Sequence, residues 1–264
     1  MKYLSLARNI IERFKGFLYV LQPLKPGTFL FGGKYKIDHV AGYGTHGIVY
    51  VGHNQYTMEK VAIKEFFMDG VSRRKSGIVS AINSYNVNKQ DKYLKYQRKE
   101  AQYLRDMRNE HIPRVFDMFD ENGTSYYVME HVEGYTLSRM KLKKHGWQFS
   151  ESEVICILLQ LLETVKAMHI KGLYYTDFHT DNIMIDKNGK VYLIDFGRVK
   201  LNDNLCMEMY TLGGVICDLL NCSFYKDHIS ENMSELISWL MNEDKRERPK
   251  SPDELLAKIK SWGE

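Results

Sequence analysis

Between Lys34 and Lys64 apolar and polar positions alternate in short runs, YKIDHV, GIVYVGH and KVAIKEF, separated by a glycine-rich turn and a polar turn near Asn54. This period of two, bounded by turn residues, predicts a meander of short antiparallel strands. A polar, basic stretch from Val71 to Lys99 passes into a helical pattern from Tyr93 to Met107, and two further strand runs follow, the second ending in SYYVMEHV. After Gly134 the period changes. SESEVICILLQLLETVKAMH reads as a helix in which Ser150 and Glu153 form a capping box, and helices are also predicted over Met207 to Leu220 and Pro252 to Trp262. A strand-rich half followed by a helix-rich half predicts an α+β fold with two lobes. No internal repeat is visible.

Ahead of the strands, residues 1–21 place Leu4, Ile11, Phe14, Leu18 and Leu21 near helical spacing, with Lys2, Arg8, Arg13 and Lys15 between them. This reads as a basic amphipathic helix. Its charges interrupt any apolar run and no small-residue cleavage site follows, which argues against a signal peptide. Packing on the following domain is favoured over a reversible membrane-surface anchor. Pro23, Pro26 and Gly27 mark the turn into the main fold. The expected division is a helix over 1–26, an N-lobe over 27–132 and a C-lobe over 133–264.

Composition narrows the classes. The 264 residues suffice for one large domain or two lobes, and 44% hydrophobic with 27% charged residues excludes collagen-like and disordered chains. A net charge of +4 is far from that of a dedicated nucleic-acid binder, and none is expected as a partner. Cys156, Cys206, Cys217 and Cys222 show neither paired zinc-ligand spacing nor disulfide density, which points to a reducing cytosol. The longest apolar candidate, near Val154 to Leu162, is too interrupted to span a bilayer. A cytoplasmic location follows, peripheral to the membrane only if the N-terminal helix anchors it.

Three groups of residues carry candidate chemistry. Gly42, Gly44 and Gly47, followed by Val49, lie between two strands rather than between a strand and a helix, which suits a phosphate-covering hairpin; a mere tight turn is the plainer reading of the glycines alone. Lys64, in Val61-Ala-Ile-Lys64, sits on an apolar strand, where an ammonium needs an anionic partner, and Glu100 on the next helix is the candidate; a surface lysine with an unrelated surface glutamate is the plainer reading of these two residues alone. The run Tyr175-Thr176-Asp177-Phe178-His179-Thr180-Asp181-Asn182 is followed by Asp195-Phe196-Gly197. Asp177 can accept a hydroxyl proton, while Asn182 and Asp195 are the hard oxygen ligands that Mg²⁺ prefers.

In this order and context the motifs resemble a eukaryotic-type (Hanks-type) protein kinase domain from about Tyr35 to Trp262, with wording most similar to small bacterial serine/threonine kinases of the YbdM type. The resemblance implies a bilobal fold, with ATP and Mg²⁺ as cofactors and a protein as the substrate. It implies that Lys64 contacts phosphates, Glu100 orients it, Asp177 acts as base, and Asn182 and Asp195 bind the metal. Met129 becomes the gatekeeper. Glu130 and Val132 offer backbone groups to adenine, and Val49, Ala62 and Met184 flank its rings.

The chain also departs from the family. The family's His-Arg-Asp reads Tyr175-Thr176-Asp177, no Ser or Thr stands between Gly197 and Thr211, and none of the prolines at 23, 26, 113, 249 and 252 supplies an APE motif. Phosphorylation of this loop is therefore not the expected switch. His179 replaces the lysine that neutralises the transferring phosphoryl group, which predicts slow turnover or a specialised substrate. Glu208 takes the place of an anchoring aspartate, and Arg248, with no APE glutamate to meet, is expected to be a solvated helix-end charge. The basic runs SRRKSG and KQDKYLKYQRK read as solvated faces before docking sites. Phosphoryl transfer to protein Ser or Thr, with autophosphorylation, is the leading function. A small-molecule kinase of the aminoglycoside or choline class and a nucleotide-binding pseudokinase are the alternatives.

Overall fold

The structure, a computed structural model, describes residues 22–44, 47–143, 149–197, 199–201, 205–221 and 229–263. The predicted N-terminal helix lies outside the described residues. The chain forms two compact units, one from the residues up to Arg105 together with Arg114–His131, the other from Asp106–Pro113 and Val132 onward. The fold is the bilobal α+β arrangement, with a sheet-rich first unit and a helical second one.

In the first unit the strands are β1 (Phe29–Leu30), β2 (Tyr35–Gly44), β3 (Gly47–Asn54), β4 (Lys60–Phe66), β5 (Ser72–Lys75), β6 (Ile78–Ala81), β7 (Val115–Glu121) and β8 (Thr124–Glu130), with one long helix, α1 (Ser84–Asp106). Six strands form a sheet in the order β1-β2-β3-β4-β8-β7, and every neighbouring pair is antiparallel. Alternation assigns the faces. Tyr35, Ile37, Ile48, Tyr50, Val61, Ile63, Tyr126 and Val128 pack into one core. The alternate positions Val49, Ala62, Lys64, Tyr127 and Met129 therefore share the opposite face.

The basic stretch after β4 departs from its sequence reading. It holds an antiparallel hairpin, β5 with β6, turned by Ser76 (φ 50°) and Gly77 (φ 86°). Two successive positive φ angles are what a tight hairpin turn requires. Helix α1 then begins at Ser84, well before the expected Tyr93, with the Asn86 N–H donating to Asn83 Oδ1 (3.1 Å) at its start. Its buried face includes Gln90, Gln97 and Glu100, so the hydrophobic period that marks most helices is weak there.

Glu65, fully buried beside Lys64 in β4, gathers three donors: Tyr50 OH (2.6 Å), Tyr126 OH and Arg74 Nη2 (2.6 Å). Arg74 also donates to the Gln22 carbonyl (2.8 Å), and the Leu24 N–H donates to Tyr50 OH (3.0 Å). One carboxylate thus ties β3, β4, β8, the hairpin and the incoming chain together.

In the second unit, β9 (Gly134–Thr136), α2 (Leu137–Lys143), α3 (Glu151–His169), β10 (Leu173–Tyr175), β11 (Ile183–Asp186), β12 (Val191–Leu193), β13 (Val199–Leu201), α4 (Leu205–Leu220), α5 (Glu231–Leu240) and α6 (Pro252–Lys260) follow in turn. The capping box forms as read, with Ser150 accepting from Glu153 N–H and the Glu153 carboxylate reaching back to Ser150 N–H. Helix α5, capped by Ser230, was not anticipated from the sequence. Gly134 is required by close approach, because a Cβ there would lie 2.2 Å from the Ile185 carbonyl. Arg248 corrects its expectation. It is buried at 6% exposure, donates to the Asn242 (2.8 Å) and Cys206 (2.7 Å) carbonyls, and lies over the Tyr210 ring at 4.7 Å. No helix among the described residues is long and apolar enough to cross a membrane.

Burial, reinforced by Glu65, pushes the Tyr50 and Tyr126 hydroxyls far above the ordinary value of 10.0, and burial with Asp117 does the same for Tyr35. Because these folded-state values lie above the unfolded ones, their stabilising contribution is whole below about pH 10 and is lost as the pH climbs, the unfolded chain releasing those protons first. The thermal midpoint is therefore expected to fall from about pH 10 upward, more shallowly in Tyr50→Phe; equal slopes for the two proteins would contradict this assignment.

Candidate functional site

The first unit supplies a buried cation on a patterned sheet face. Lys64 Nζ stands 2.8 Å from Glu100 Oε1, with side-chain exposures of only 10% and 5%. Tyr127 OH donates to the same oxygen at 2.8 Å, and the ammonium lies 5.6 Å from the Tyr127 ring centroid. Sequence reasoning paired Lys64 with Glu100 and missed Tyr127, although its place in the alternating run SYYVMEHV puts it on the face of Lys64. Burying this pair is tolerable because the carboxylate receives both a charged and a neutral donor.

On that face Val49 pairs across the ladder with Lys64, and Ala62 pairs with Met129. Val49 and Ala62 are partly exposed and Met129 is buried. Of the glycines, Gly42 has open space around its α-carbon, and a Cβ on Gly44 would meet only the Gly47 carbonyl at an ordinary 3.7 Å. Gly47 differs: a Cβ would sit 2.6 Å from the Glu65 carbonyl, so sheet packing itself demands this glycine. Thr45 and His46, at the tip, lie outside the described residues. Glu130 ends β8, its N–H donating to the Arg114 carbonyl at 2.9 Å.

The second unit brings the acidic residues together. Strands β11 and β12 are antiparallel, and the Ile194 N–H donates to the Asn182 carbonyl (3.0 Å), which carries Asp195 back beside Asn182 along the chain. Asn182 Nδ2 donates to the Asp177 carbonyl (3.1 Å) and to Asp177 Oδ2 (3.2 Å). With the amide nitrogen engaged there, the amide oxygen is the ligand atom left for a hard cation. Asp195 Oδ1 accepts from Gly197 N–H at 3.0 Å. An amide oxygen and a carboxylate are a donor set that fits Mg²⁺ shared with phosphate oxygens. No cluster of three or more His, Cys, Asp or Glu that could hold a metal occurs among the described residues, so these two would not form a closed cage.

His179 is half-exposed, with Nε2 3.7 Å from Asp177 Oδ2 and Nδ1 4.0 Å from Asp181 Oδ2. Met184 lies in β11 between Thr136 and Tyr192 of the neighbouring strands. The Val132 carbonyl accepts from Gly134 N–H at 3.0 Å.

What supports the loop is a second buried carboxylate. Glu208 of α4, fully buried, accepts from Tyr175 N–H (2.6 Å) through one oxygen and contacts His169 Nε2 (2.6 Å) through the other. Burial pushes its carboxyl above the usual range against the opposing pull of His169 and the Tyr175 N–H. Tyr175 then passes the constraint on. Its hydroxyl donates to the Asp195 carbonyl (2.6 Å), and its ring meets Phe178 at 4.7 Å and Phe196 at 5.5 Å. Tyr175 was read only as a departure from a motif; its structural duty could not be inferred from the run itself.

Comparison with known proteins adds a family. The protein kinase domain pattern matches residues 35–212. The probable serine/threonine-protein kinase YbdM of Bacillus subtilis (strain 168) is 27% identical over 179 residues, 68% of this chain and 62% of that protein. CBL-interacting serine/threonine-protein kinase 19 of Arabidopsis thaliana is 28% identical over 173 residues, 66% of this chain but 32% of that protein. The chain thus spans about a third of the length of that plant relative. Among solved structures, the PpkA-294 apo form superimposes with a TM-score of 0.79 at 19% identity, covering 90% of this chain and 99% of that one. The Mycobacterium tuberculosis PknI kinase domain, a C20A_R136N double mutant, gives 0.72 at 15% identity, covering 92% of this chain and 100% of that one. At these identities the structural matches speak to the fold.

Glu208→Ala strands a buried N–H and takes the partner from a partly exposed imidazole, so it is expected to lower unfolding stability by about 2 kcal/mol. Glu208→Gln, which can accept from one and donate to the other, should lose much less. Chemical denaturation of the two variants checks this, and equal losses would rule out the hydrogen-bonding role.

Proposed function

Since the chain belongs to the protein kinase domain family, we propose that it transfers the γ-phosphoryl group of ATP to Ser or Thr hydroxyls of a protein, including its own. The observation that carries this reading is the buried Lys64–Glu100 pair at 2.8 Å, backed by Tyr127 on a face otherwise lined by Val49, Ala62 and Met129. A buried ammonium held by one carboxylate is poised to meet phosphate oxygens. The identity with a bacterial kinase over 68% of this chain supports placement in the YbdM-like subgroup.

In this proposal Gly42, Gly44 and Gly47 cover the phosphates, and Lys64, oriented by Glu100, draws them toward its charge. Asn182 and Asp195 hold Mg²⁺, which when bound supplies positive charge to the phosphate oxygens. Asp177 accepts the proton of the substrate hydroxyl as its oxygen bonds to the γ-phosphorus and the bond to the β-phosphate oxygen breaks. The Asn182 amide, which donates to Asp177 Oδ2, keeps that carboxylate turned into position.

Glu130, its N–H engaged by Arg114, offers adenine a carbonyl, and Val132, its carbonyl engaged by Gly134, offers an N–H. An acceptor and a donor of this kind suit the edge of an adenine ring, and Met129 and Met184 supply apolar contact. His179 stands within 3.7 Å of Asp177, but a lysine there would carry a permanent charge. The shortened segment after Gly197 favours an enzyme that does not depend on phosphorylation of that segment. The divisions we assign are an N-terminal segment over 1–26, an N-lobe over 27–132 and a C-lobe over 133–264.

The test is radiolabelled γ-phosphate transfer into the protein itself and into a lysate separated into protein and metabolite fractions. Label should enter protein, and Lys64→Met, Asp177→Asn and Asp195→Asn should each reduce it by about 10²-fold or more. Label confined to metabolites would replace a protein with a small molecule as substrate, and nucleotide binding without any transfer would make the chain a pseudokinase. His179→Lys is expected to raise kcat; a fall would show that the imidazole does something a lysine does not.

A further inference from the structure

Residues 176–182 contain no proline, so no ring in the covalent backbone fixes the loop that bears Asp177 and Asn182. Tyr175 and Phe178, through their ring contact at 4.7 Å, pin its first half to hydrophobic surroundings. The second half is held by polar ties from two helices. Thr180 is 8% exposed, and its hydroxyl donates to Asp218 Oδ2 at 3.0 Å. Asp218 lies near the end of α4, and its other oxygen stands 2.5 Å from Lys141 Nζ of α2. Lys141 donates as well to the Asp218 carbonyl at 2.6 Å. From the same helix α2, Ser138 N–H donates to the Thr180 carbonyl at 3.1 Å, and the Ser138 hydroxyl donates to Asp181.

We propose that Lys141, Asp218 and Thr180 form a relay that sets the catalytic loop, with Thr180 a positioning residue for phosphoryl transfer. The inference rests on the kinase reading above and names how that site is held. Lys141 fixes one oxygen of Asp218, which leaves the other turned toward Thr180. Thr180 then defines where the chain lies between Asp177, three residues before it, and Asn182, two residues after it. The Asn182 N–H to His179 carbonyl turn (3.0 Å) and the Asn182 amide contacts to Asp177 both depend on that path. A small displacement here separates a base from a metal ligand, and displacements of about 1 Å can cost about a hundredfold in rate. Thr180 touches no reacting atom; it acts through the loop.

Three single variants, the Lys141→Met/Thr180→Val double variant and two readouts test the relay. Thr180→Val keeps the shape and removes the hydroxyl, Thr180→Ser keeps the hydroxyl, and Lys141→Met removes the charge that orients Asp218. The first readout is amide hydrogen exchange of the segment 176–183 in the nucleotide-free protein, and the second is kcat against the KM for ATP.

Thr180→Val should lose exchange protection in this segment and fall about tenfold or more in kcat, with KM for ATP changed less than about twofold. Thr180→Ser should restore both, and Lys141→Met should move both in the direction of Thr180→Val. The double variant should be no worse than Thr180→Val alone, since the two act on one interaction. Wild-type protection in Thr180→Val, equal losses in Thr180→Ser, or additive losses in the double variant would each overturn the relay. A wild-type protein that transfers no phosphate overturns the kinase reading instead, and hydrogen exchange still decides whether the three residues hold the loop.

Discussion

A carboxylate removed from water must be met by donors, and in this protein the donors come from segments far apart in the chain, so that satisfying one acid assembles several elements at once. Glu65 does this for the first unit, collecting Tyr50, Tyr126 and Arg74. Glu208 does it for the second, collecting the backbone of Tyr175 and the ring of His169. Each stands next to candidate site residues without being one of them. Glu65 follows Lys64 in β4, with its side chain on the core face while Lys64 faces the other way. Glu208 holds Tyr175, whose hydroxyl in turn holds the main chain at Asp195. Neither acid is replaceable by a hydrophobic residue alone, because its donors would be left buried and unmatched.

The same logic shows what supports the loop where the chain departs from the family pattern. Thr176 stands where the family has an arginine, yet the loop still has support: Tyr175 fastens it below through ring contacts and two hydrogen bonds. His179 supplies no permanent positive charge, and the acids around it, Asp177 at 3.7 Å and Asp181 at 4.0 Å, leave this corner of the second unit rich in negative charge. In the proposed reaction the permanent charge offered to phosphates is therefore that of Lys64.

Much of this was legible in the sequence where local pattern and tertiary role coincide. The alternating runs around Lys64 became β2, β3 and β4, and Ser150 with Glu153 capped α3, because a period or a cap is a property of neighbouring residues. The pairing of Lys64 with Glu100 became readable when the cost of a lone buried ammonium was joined to the order of the motifs. What escaped was non-local or atypical. The hairpin β5–β6 hides in a basic run whose only signal is Ser76-Gly77, and α1 starts early because its buried face carries Gln90 and Gln97 where apolar residues would have announced it. Tyr127, Glu65 and Arg248 looked like ordinary strand or surface residues until partners distant in sequence gave them their roles. The candidate residues themselves were readable from motif order, while the scaffold that orients them was not.

Arg248 has one more implication. Its guanidinium reaches two main-chain carbonyls, those of Asn242 and Cys206, and rests on the Tyr210 ring. Every residue type owns a carbonyl, so the clasp itself asks nothing of the side chains at 206 and 242, which have separate duties: Asn242 Oδ1 accepts from the Asp244 N–H and the Cys206 thiol meets the Lys245 carbonyl. A single side chain, the arginine's, thus closes a joint whose other two members are main chain.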